Sequence, residues 1–250
     1  MSFDLIIAWM MIFLRSLGVI MQLPLLAGRP IPIPVRMGIC AGLTTVLAGI
    51  VPAARVELAV WPLVATVAGE VFLGLSLGFV ARLAFGSVEM AGRLISTEIG
   101  MSASPGMGVP EPSTEPLAAL LSSFAVVLFF LLGAHHNVLS AFARSFQFAA
   151  AGRPALDLGA GEALIRGTSH MLEVGLRIAA PFIAMNFLIT LAFSVLGRAV
   201  PKMNVFVVSI SARALIGFGL LSTSASLIAR YLFVEFGDLP LRMLQLLHAR

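Results

Sequence analysis

The chain has 250 residues, of which 59% are hydrophobic and 11% charged, and its mean hydropathy is +1.03. Soluble domains carry about 25% charged residues, so this composition excludes an ordinary soluble protein. The net charge of +4 comes almost wholly from arginine, and in a membrane protein such an excess indicates cytoplasmic loop charge rather than nucleic-acid binding.

The apolar runs are continuous rather than alternating, which predicts a single-domain, all-α membrane protein built of helical hairpins with broken helices. Residues 5–26 form the first predicted membrane segment, and Asp4 ahead of it argues against a cleavable signal. Cys40 is the only cysteine, so we expect no disulfide framework and no cysteine metal site. We expect no other metal and no cofactor.

Charged residues interrupt the first apolar runs, namely Arg15 in the first and Glu70 and Arg82 in the run at residues 58–85. Arg15 lies in the middle of the first segment, where an unpaired arginine costs at least about 2.5–3.5 kcal/mol. Glu70 is the one acid of the long apolar run at residues 58–85, which makes it the preferred partner of Arg15. A protonated, proton-carrying carboxyl of the kind that transporters use is the alternative for Glu70.

Between these runs, the alternating prolines of residues 29–36 predict an extended connector, and a turn is predicted at residues 52–57. The apolar run at residues 37–51 is short for a crossing, since a span needs about 20 residues. We expect it to pack as an antiparallel hairpin on residues 58–85 through glycines spaced four apart, namely Gly38 and Gly42 on one side and Gly74 and Gly78 on the other.

The stretch at residues 99–116 combines glycine, proline and serine between hydrophobic segments, after an amphipathic stretch at residues 87–98 that carries Glu98. Such a stretch cannot be a regular helix. Its first half is uncharged, which suits a segment held inside protein at membrane depth, and an ordinary flexible loop is the alternative. We expect Glu111 and Glu115 at its wetter edge. The candidate pore or plug residues are Met101, Ser102, Ser104, Pro105, Gly106, Met107, Gly108 and Val109.

In the second half, apolar segments are predicted at residues 117–133, 138–148, 178–197 and 203–229, with an aqueous stretch at residues 149–167 and a basic turn at residues 198–202. His135 and His136 would point to different helix faces, so we interpret them as an interfacial turn rather than a metal site. Pro181 should kink or begin its helix. The tail at residues 239–250 starts near Pro240 and is amphipathic, with Leu241, Leu244 and Leu247 on one side.

The chain lacks the nucleotide-binding P-loop, the zinc-hydrolase HExxH and the GxSxG nucleophile elbow, so we do not expect an enzyme. Several segments are short, proline-broken or charged at their centre. A subunit surrounded by other subunits tolerates such segments, because its neighbours can satisfy the broken backbone and the charges.

The run AGRLISTEIGMSAS at residues 91–104 resembles the AGxIIGxQMGLS signature of the FliR/SctT family of type III secretion export-gate subunits. The run PKMNVF, with Pro201, Asn204, Val205 and Phe206, resembles that family's PQLNVF turn. The early Arg15, the proline-rich connector and HHxxL followed by Ser145-Phe146 match in the same order. Together they cover nearly the whole chain.

The chain departs from the family pattern at three places. The family's glutamine is Glu98 here, its aspartate-proline after the signature is missing, and its asparagine-glycine before the histidine is Gly133-Ala134. These departures affect the detailed contacts of the loop.

The resemblance implies a subunit of the flagellar export gate in the bacterial inner membrane, through which unfolded protein cargo passes. It implies one copy assembled with five FliP-type and four FliQ-type subunits, contacts with FlhB- and FlhA-type export proteins and with membrane lipid, and no nucleic acid. Helical hairpins would rise above the membrane plane, and the loop after Gly100-Met101 would plug the closed pore near a methionine gasket. The domain would comprise N-terminal helices at residues 1–98, a plug-like loop at residues 99–116, and C-terminal hairpins and tail at residues 117–250.

Two alternatives stay open. A homologous virulence-system subunit would share most of these motifs, although the NVF sequence at residues 204–206 favours the flagellar branch. A secondary transporter would also have broken helices and a carboxyl within the membrane, but it should show an internal hydropathy repeat, and the sequence has no convincing one.

Overall fold

The structure is a computed structural model that describes residues 3–23, 32–51, 59–101, 115–154, 159–200 and 204–247. Seven α-helices lie in these ranges: α1 (Phe3–Gln22), α2 (Ile33–Ala48), α3 (Val60–Ile99), α4 (Pro116–Leu131), α5 (Ala134–Phe148), α6 (Gly159–Ala199) and α7 (Val205–Gln245).

Within the described ranges, four helices are long and apolar enough to cross a membrane, namely α1, α3, α6 and α7. The shorter helices α4 and α5 meet at 70° and would count as a fifth span if taken together. The predicted all-α membrane class with a broken helix pair is therefore confirmed. The helices α3, α6 and α7 each exceed the length that a bilayer needs, because about 40 residues extend roughly 60 Å.

Helix α3 is the centre of the fold and contacts α1, α4, α6 and α7. Small residues bring the neighbouring backbones close to it. A methyl group at Gly74 would collide with the Arg15 carbonyl of α1, and one at Gly92 would lie 2.6 Å from the Ala118 Cα of α4. Residue pairings along the helices show that α1 and α6 run parallel to α3, whereas α4 and α7 run antiparallel to it.

Two predictions about α2 are wrong. The helix begins at Ile33 with a proline in its first turn, so the end of the predicted extended connector is helical. Proline is tolerated there because the first amide groups of a helix have no intrahelical partner. The rest of that connector, and the turn predicted at residues 52–57, lie outside the described residues apart from Pro32.

The predicted glycine-to-glycine hairpin between α2 and α3 is also wrong. Added methyl groups at Gly38 and Gly42 would meet open space, and α2 packs on α1 through the opposite face, which carries Cys40, Thr44 and Leu47. Gly74 and Gly78 of α3 do contact another helix, but that helix is α1. The two faces of α2 could not be distinguished from the sequence, because both carry mainly small or apolar side chains.

Three further boundaries differ from the predictions. The amphipathic stretch at residues 87–98 is the continuation of α3, and α6 begins within the predicted aqueous stretch and continues through Pro181. Helix α7 continues through Pro240, so the tail is not a separate amphipathic element up to its last described residues. Its buried residues are Leu239, Met243 and Leu246, whereas Leu241 is 63% exposed.

The break between α4 and α5 lies one turn earlier than predicted. Gly133 adopts a left-handed conformation with φ of 65°, which glycine tolerates because it lacks a Cβ atom. His135 and His136 follow it inside the first turn of α5 rather than forming the turn themselves.

Candidate functional site

Arg15 and Glu70 form an ion pair in the centre of the N-terminal half. Nε of Arg15 donates to Oε2 of Glu70 over 2.6 Å and Nη2 donates to Oε1 over 3.0 Å, with both side chains fully buried. This two-point geometry matches the planar guanidinium to the carboxylate. The two opposite charges therefore compensate each other within the protein.

The other hydrogen-bonding groups of the ion pair are satisfied by α5 and the segment after it. Nη1 of Arg15 donates to the Ala149 carbonyl oxygen over 2.9 Å, and the Gly152 amide donates to Oε1 of Glu70 over 2.8 Å. The guanidinium carbon also lies 4.1 Å from the centroid of the Phe146 ring, where a cation is attracted by the ring face. The ion pair thus joins α1, α3 and the end of α5.

The second feature is the base of the predicted loop. Helix α3 ends at Gly100, whose φ of 83° allows its amide to donate to the Thr97 carbonyl while the Met101 amide donates to that of Ser96. This left-handed closure ends the helix abruptly. Met101 is 37% exposed. The other candidate plug residues, from Ser102 to Val109, lie outside the described residues.

The last turn of α3 is held by α6 and α7, which together form the C-terminal hairpin. The fully buried Ile99 packs on Gly217 of α7, where an added methyl group would lie 2.5 Å from the Ile99 Cγ1 atom. Glu98 accepts a hydrogen bond from the Asn186 side chain of α6. The chain therefore enters the loop from an anchored helix end.

The chain leaves the loop at Glu115, immediately before α4. Glu115 is only partly exposed, and its Oε2 atom is buried without a hydrogen-bond partner among the residues that the structure describes. This disagrees with the expectation of a wetter edge at Glu115. Glu111 lies outside the described ranges.

Comparison with known proteins decides the family. Residues 6–239 match the sequence profile of the family "Bacterial export proteins, family 1". The chain belongs to this family of bacterial export proteins.

Individual relatives agree with this assignment. The flagellar biosynthetic protein FliR of Escherichia coli is 28% identical over 90% of this chain and 88% of its own length. FliR of Bacillus subtilis is 26% identical over the same shares. The secretion system apparatus protein SsaT of Salmonella typhimurium is 27% identical over 84% of each chain.

The family and the apolar helices together establish a multi-pass protein of the bacterial inner membrane and of a type III export apparatus. In this export protein, Asn204 of the NVF motif caps α7, because its side chain accepts a hydrogen bond from the Val207 amide. Phe206 is 73% exposed, Val205 lies beside Gly197 of α6, and Pro201 lies outside the described ranges.

A polar cluster that was not predicted from the sequence lies between α6 and α7, far from the turn that joins them. Glu235 of α7 is almost buried and contacts His170 over 2.8 Å and Arg242 over 2.7 Å. The cluster lines a cavity of about 550 Å³ between α3, α6 and α7. A detectable signal was the spacing of Glu235 and Arg242, seven residues apart on one helix face.

These sites hold charged side chains in fixed positions. The Arg15, Glu98 and Glu235 side chains each contact a partner from another helix. Across the described part of the chain, no group of three or more histidine, cysteine or acidic side chains has a geometry that could hold a metal ion.

Proposed function

We propose that this chain is a core subunit of the flagellar type III protein export gate and forms part of the pore through which unfolded flagellar subunits cross the inner membrane. The supporting observation is the end of α3, which α6 and α7 anchor and after which the sequence continues into a loop whose first half is uncharged and contains glycine and methionine. The loop at residues 99–116 would be the plug of the closed pore.

The physical properties of the loop suit a barrier that yields. Glycines at positions 100, 106 and 108 permit positive φ angles, and Pro105 prevents regular pairing. Met101 and Met107 are flexible and apolar, so they can seal against differently shaped surfaces and give way again. Such a seal excludes ions without strong bonds that would have to break for each passing chain.

The proposed partners are FliP-, FliQ-, FlhB- and FlhA-type export proteins, with one copy of this chain beside five FliP-type and four FliQ-type copies. The lengths of the helices support an assembly that rises above the membrane plane. Helices of about 60 Å exceed a hydrocarbon core of about 30 Å, so upright helices must leave it.

The flagellar system is favoured over a virulence system. The FliR proteins of Escherichia coli and Bacillus subtilis match 90% of this chain and that of Aquifex aeolicus matches 68%, whereas the Yop proteins translocation protein T of Yersinia pestis matches 64%. SsaT matches 84% at a similar identity, so the virulence assignment is the second candidate. A secondary transporter is disfavoured because Glu70 is fully buried and paired, which leaves it without solvent access for proton exchange.

The test is a deletion within the loop. Removing residues 104–108 in the complete gate should raise ion leak through the closed pore, because the apolar seal is shortened, while the subunits still assemble. Conductance of reconstituted assemblies in a planar bilayer and co-purification of the partners measure the two effects.

A length-matched control separates the effect of the side chains from the effect of loop length. Replacing residues 104–108 by glycine and serine keeps the length but removes Pro105 and Met107, and this variant should leak as well if apolar bulk forms the seal. If the deletion leaves conductance at the closed level or abolishes assembly, the loop is a structural connector and the plug role is wrong.

A further inference from the structure

Four polar side chains lie in one hydrogen-bonded series across three helices beside the loop base. Arg213 of α7 donates from Nη2 to the Thr190 hydroxyl of α6 over 3.2 Å. The Thr190 hydroxyl lies 2.8 Å from the Asn186 carbonyl and 3.5 Å from its side-chain oxygen. Asn186 donates from Nδ2 to Oε2 of Glu98, two residues before Gly100.

The series has a direction. It runs from a cation on α7 to a carboxylate on α3. The Thr190 hydroxyl accepts from Arg213 and donates its single proton to the Asn186 carbonyl oxygen, the nearer of its two acceptors. The Asn186 side chain in turn donates to Glu98. Asn186 therefore connects the two halves of the series, through its backbone on one side and its side chain on the other. Residues 178–197 of α6 contain no charged residue.

Arg213 has no carboxylate of its own in the described part of the chain. Its Nε atom is buried and makes no hydrogen bond there. Arg213 as a whole is half-buried, and an arginine beside an apolar segment is favoured by polar partners. The Thr190 hydroxyl is the side-chain acceptor that the described residues provide for it.

An apolar contact acts in parallel with this polar series. Gly217 lies one helical turn after Arg213 and receives the Ile99 side chain, which follows Glu98 directly. The same faces of the hairpin thus hold two consecutive residues of α3, one by hydrogen bonding and one by packing. Beyond this point, α6 continues 13 residues from Asn186 to Ala199, which corresponds to about 20 Å.

We propose that the series Glu98–Asn186–Thr190–Arg213 couples the position of the loop base to the C-terminal hairpin of α6 and α7, with Glu98 as the positioning residue. A displacement of the hairpin, such as a passing chain would impose, is then transmitted to Gly100 and Met101. This inference rests on the proposed function for its consequence, the sealing of the pore. The coupling between the loop base and the hairpin can be measured independently.

The experiment places a nitroxide spin label at Met101→Cys in the purified gate assembly, with Cys40→Ala removing the native cysteine and with cysteine-free partners. Thr190→Val removes the hydroxyl while keeping the side-chain shape at an exposed position, so folding is preserved. This variant and Glu98→Ala should shift the label's spectrum towards its mobile component and raise closed-state ion leak. Glu98→Gln retains an acceptor oxygen for Asn186 and should restore the immobile spectrum.

Thr97→Val is the matched control. Thr97 is also an exposed helical threonine, and its hydroxyl bonds to the carbonyl four residues earlier, that of Arg93, as the hydroxyl of Thr190 does to that of Asn186. It receives no hydrogen bond from another helix among the described contacts, so its substitution should leave the spectrum unchanged.

The outcomes separate this inference from the proposed function. If Thr190→Val leaves the label as immobile as in the unsubstituted assembly, or if Thr97→Val mobilises it equally, the coupling is refuted even where the loop deletion raises leak. If the label is mobilised by Thr190→Val but the deletion of residues 104–108 causes no leak, the coupling stands and the plug role falls.

Discussion

At the scale of single residues, the apolar interior holds buried charges, such as Arg15, Glu70 and Glu235, that contact specific partners. Arg15 is the clearest example, because its guanidinium reaches Glu70, a backbone carbonyl and an aromatic ring at once. Such a pair contributes little over an apolar pair of the same shape, but breaking it leaves one buried charge without compensation. Its two residues lie 55 positions apart in sequence, so the pair also fixes how α1 and α3 meet.

Arg15→Leu should therefore destabilise the protein strongly, by about 3–5 kcal/mol, because Glu70 is left buried and unpaired. Thermal denaturation of the purified assembly, followed by loss of the intact complex in gel filtration, measures the effect. Arg93→Leu is the control, since Arg93 and its partner Glu89 are 66% and 54% exposed, and such pairs contribute about 1 kcal/mol or less.

The double variant Arg15→Leu/Glu70→Leu should recover part of the lost stability, because it removes both charges together. Equal stability of Arg15→Leu and the unsubstituted protein would contradict the structural role assigned to the pair.

At the scale of helices, close packing depends on which face of each glycine-containing helix meets a neighbour. In α3, glycines face the backbones of α1 and α4, and these contacts permit helix axes to approach closely. In α2, the glycines face open space. The same spacing of four residues therefore has different consequences in the two helices.

Gly74→Ala should lower stability by about 1–3 kcal/mol, because the methyl group meets the Arg15 carbonyl oxygen and neither backbone can yield locally. Gly42→Ala should be neutral or stabilising by up to about 1 kcal/mol, since it meets nothing and alanine favours the helix. The two melting temperatures, measured on the same assembly, make the comparison. An equal loss in both variants would argue against the α1–α3 interface described here.

The bend between α4 and α5 depends on the left-handed conformation of Gly133. Gly133→Val should cost roughly 1–2 kcal/mol because a β-branched residue is strained there, whereas Gly133→Asn should be tolerated better. Melting temperatures of the two variants test the order. If valine is accepted as readily as asparagine, the bend does not require positive φ.

At the scale of the whole molecule, the C-terminal hairpin presents large apolar side chains beyond the loop base. Phe187 is 67% exposed, Phe206 73% and Leu215 78%. These surfaces require lipid or partner subunits to cover them. The short helices α2, α4 and α5 also need such neighbours, because lipid cannot hydrogen-bond the free backbone groups at their ends.

When produced without its partners, the chain should therefore be degraded faster or aggregate on extraction into mild detergent, because its unpaired surfaces stay open. Co-production with the proposed FliP- and FliQ-type partners should lengthen its half-life in cells and yield a single complex in gel filtration. A long-lived, monodisperse single chain would instead support the transporter alternative.

Much of this organisation follows from local sequence alone. Continuous apolar runs required helices in a membrane because lipid cannot hydrogen-bond an open backbone, and an isolated arginine and acid in two such runs required each other. The end of α3 at Gly100 agrees with the glycine- and proline-rich sequence that follows it, because those residues disfavour a continued helix. The break at Gly133 lies one turn before the polar turn predicted at residues 134–137.

Tertiary structure alone decided which faces meet. Gly38 and Gly42 had the same spacing as Gly74 and Gly78, but only the second pair contacts a helix, because spacing defines a face and not its neighbour. Helices α6 and α7 continue through Pro181 and Pro240, since packing over long helices outweighs a local preference to break. Asn186 lies 88 positions after its acceptor Glu98, and Arg213 lies 23 positions after its acceptor Thr190 on the neighbouring helix, so both contacts arise only when the helices pack.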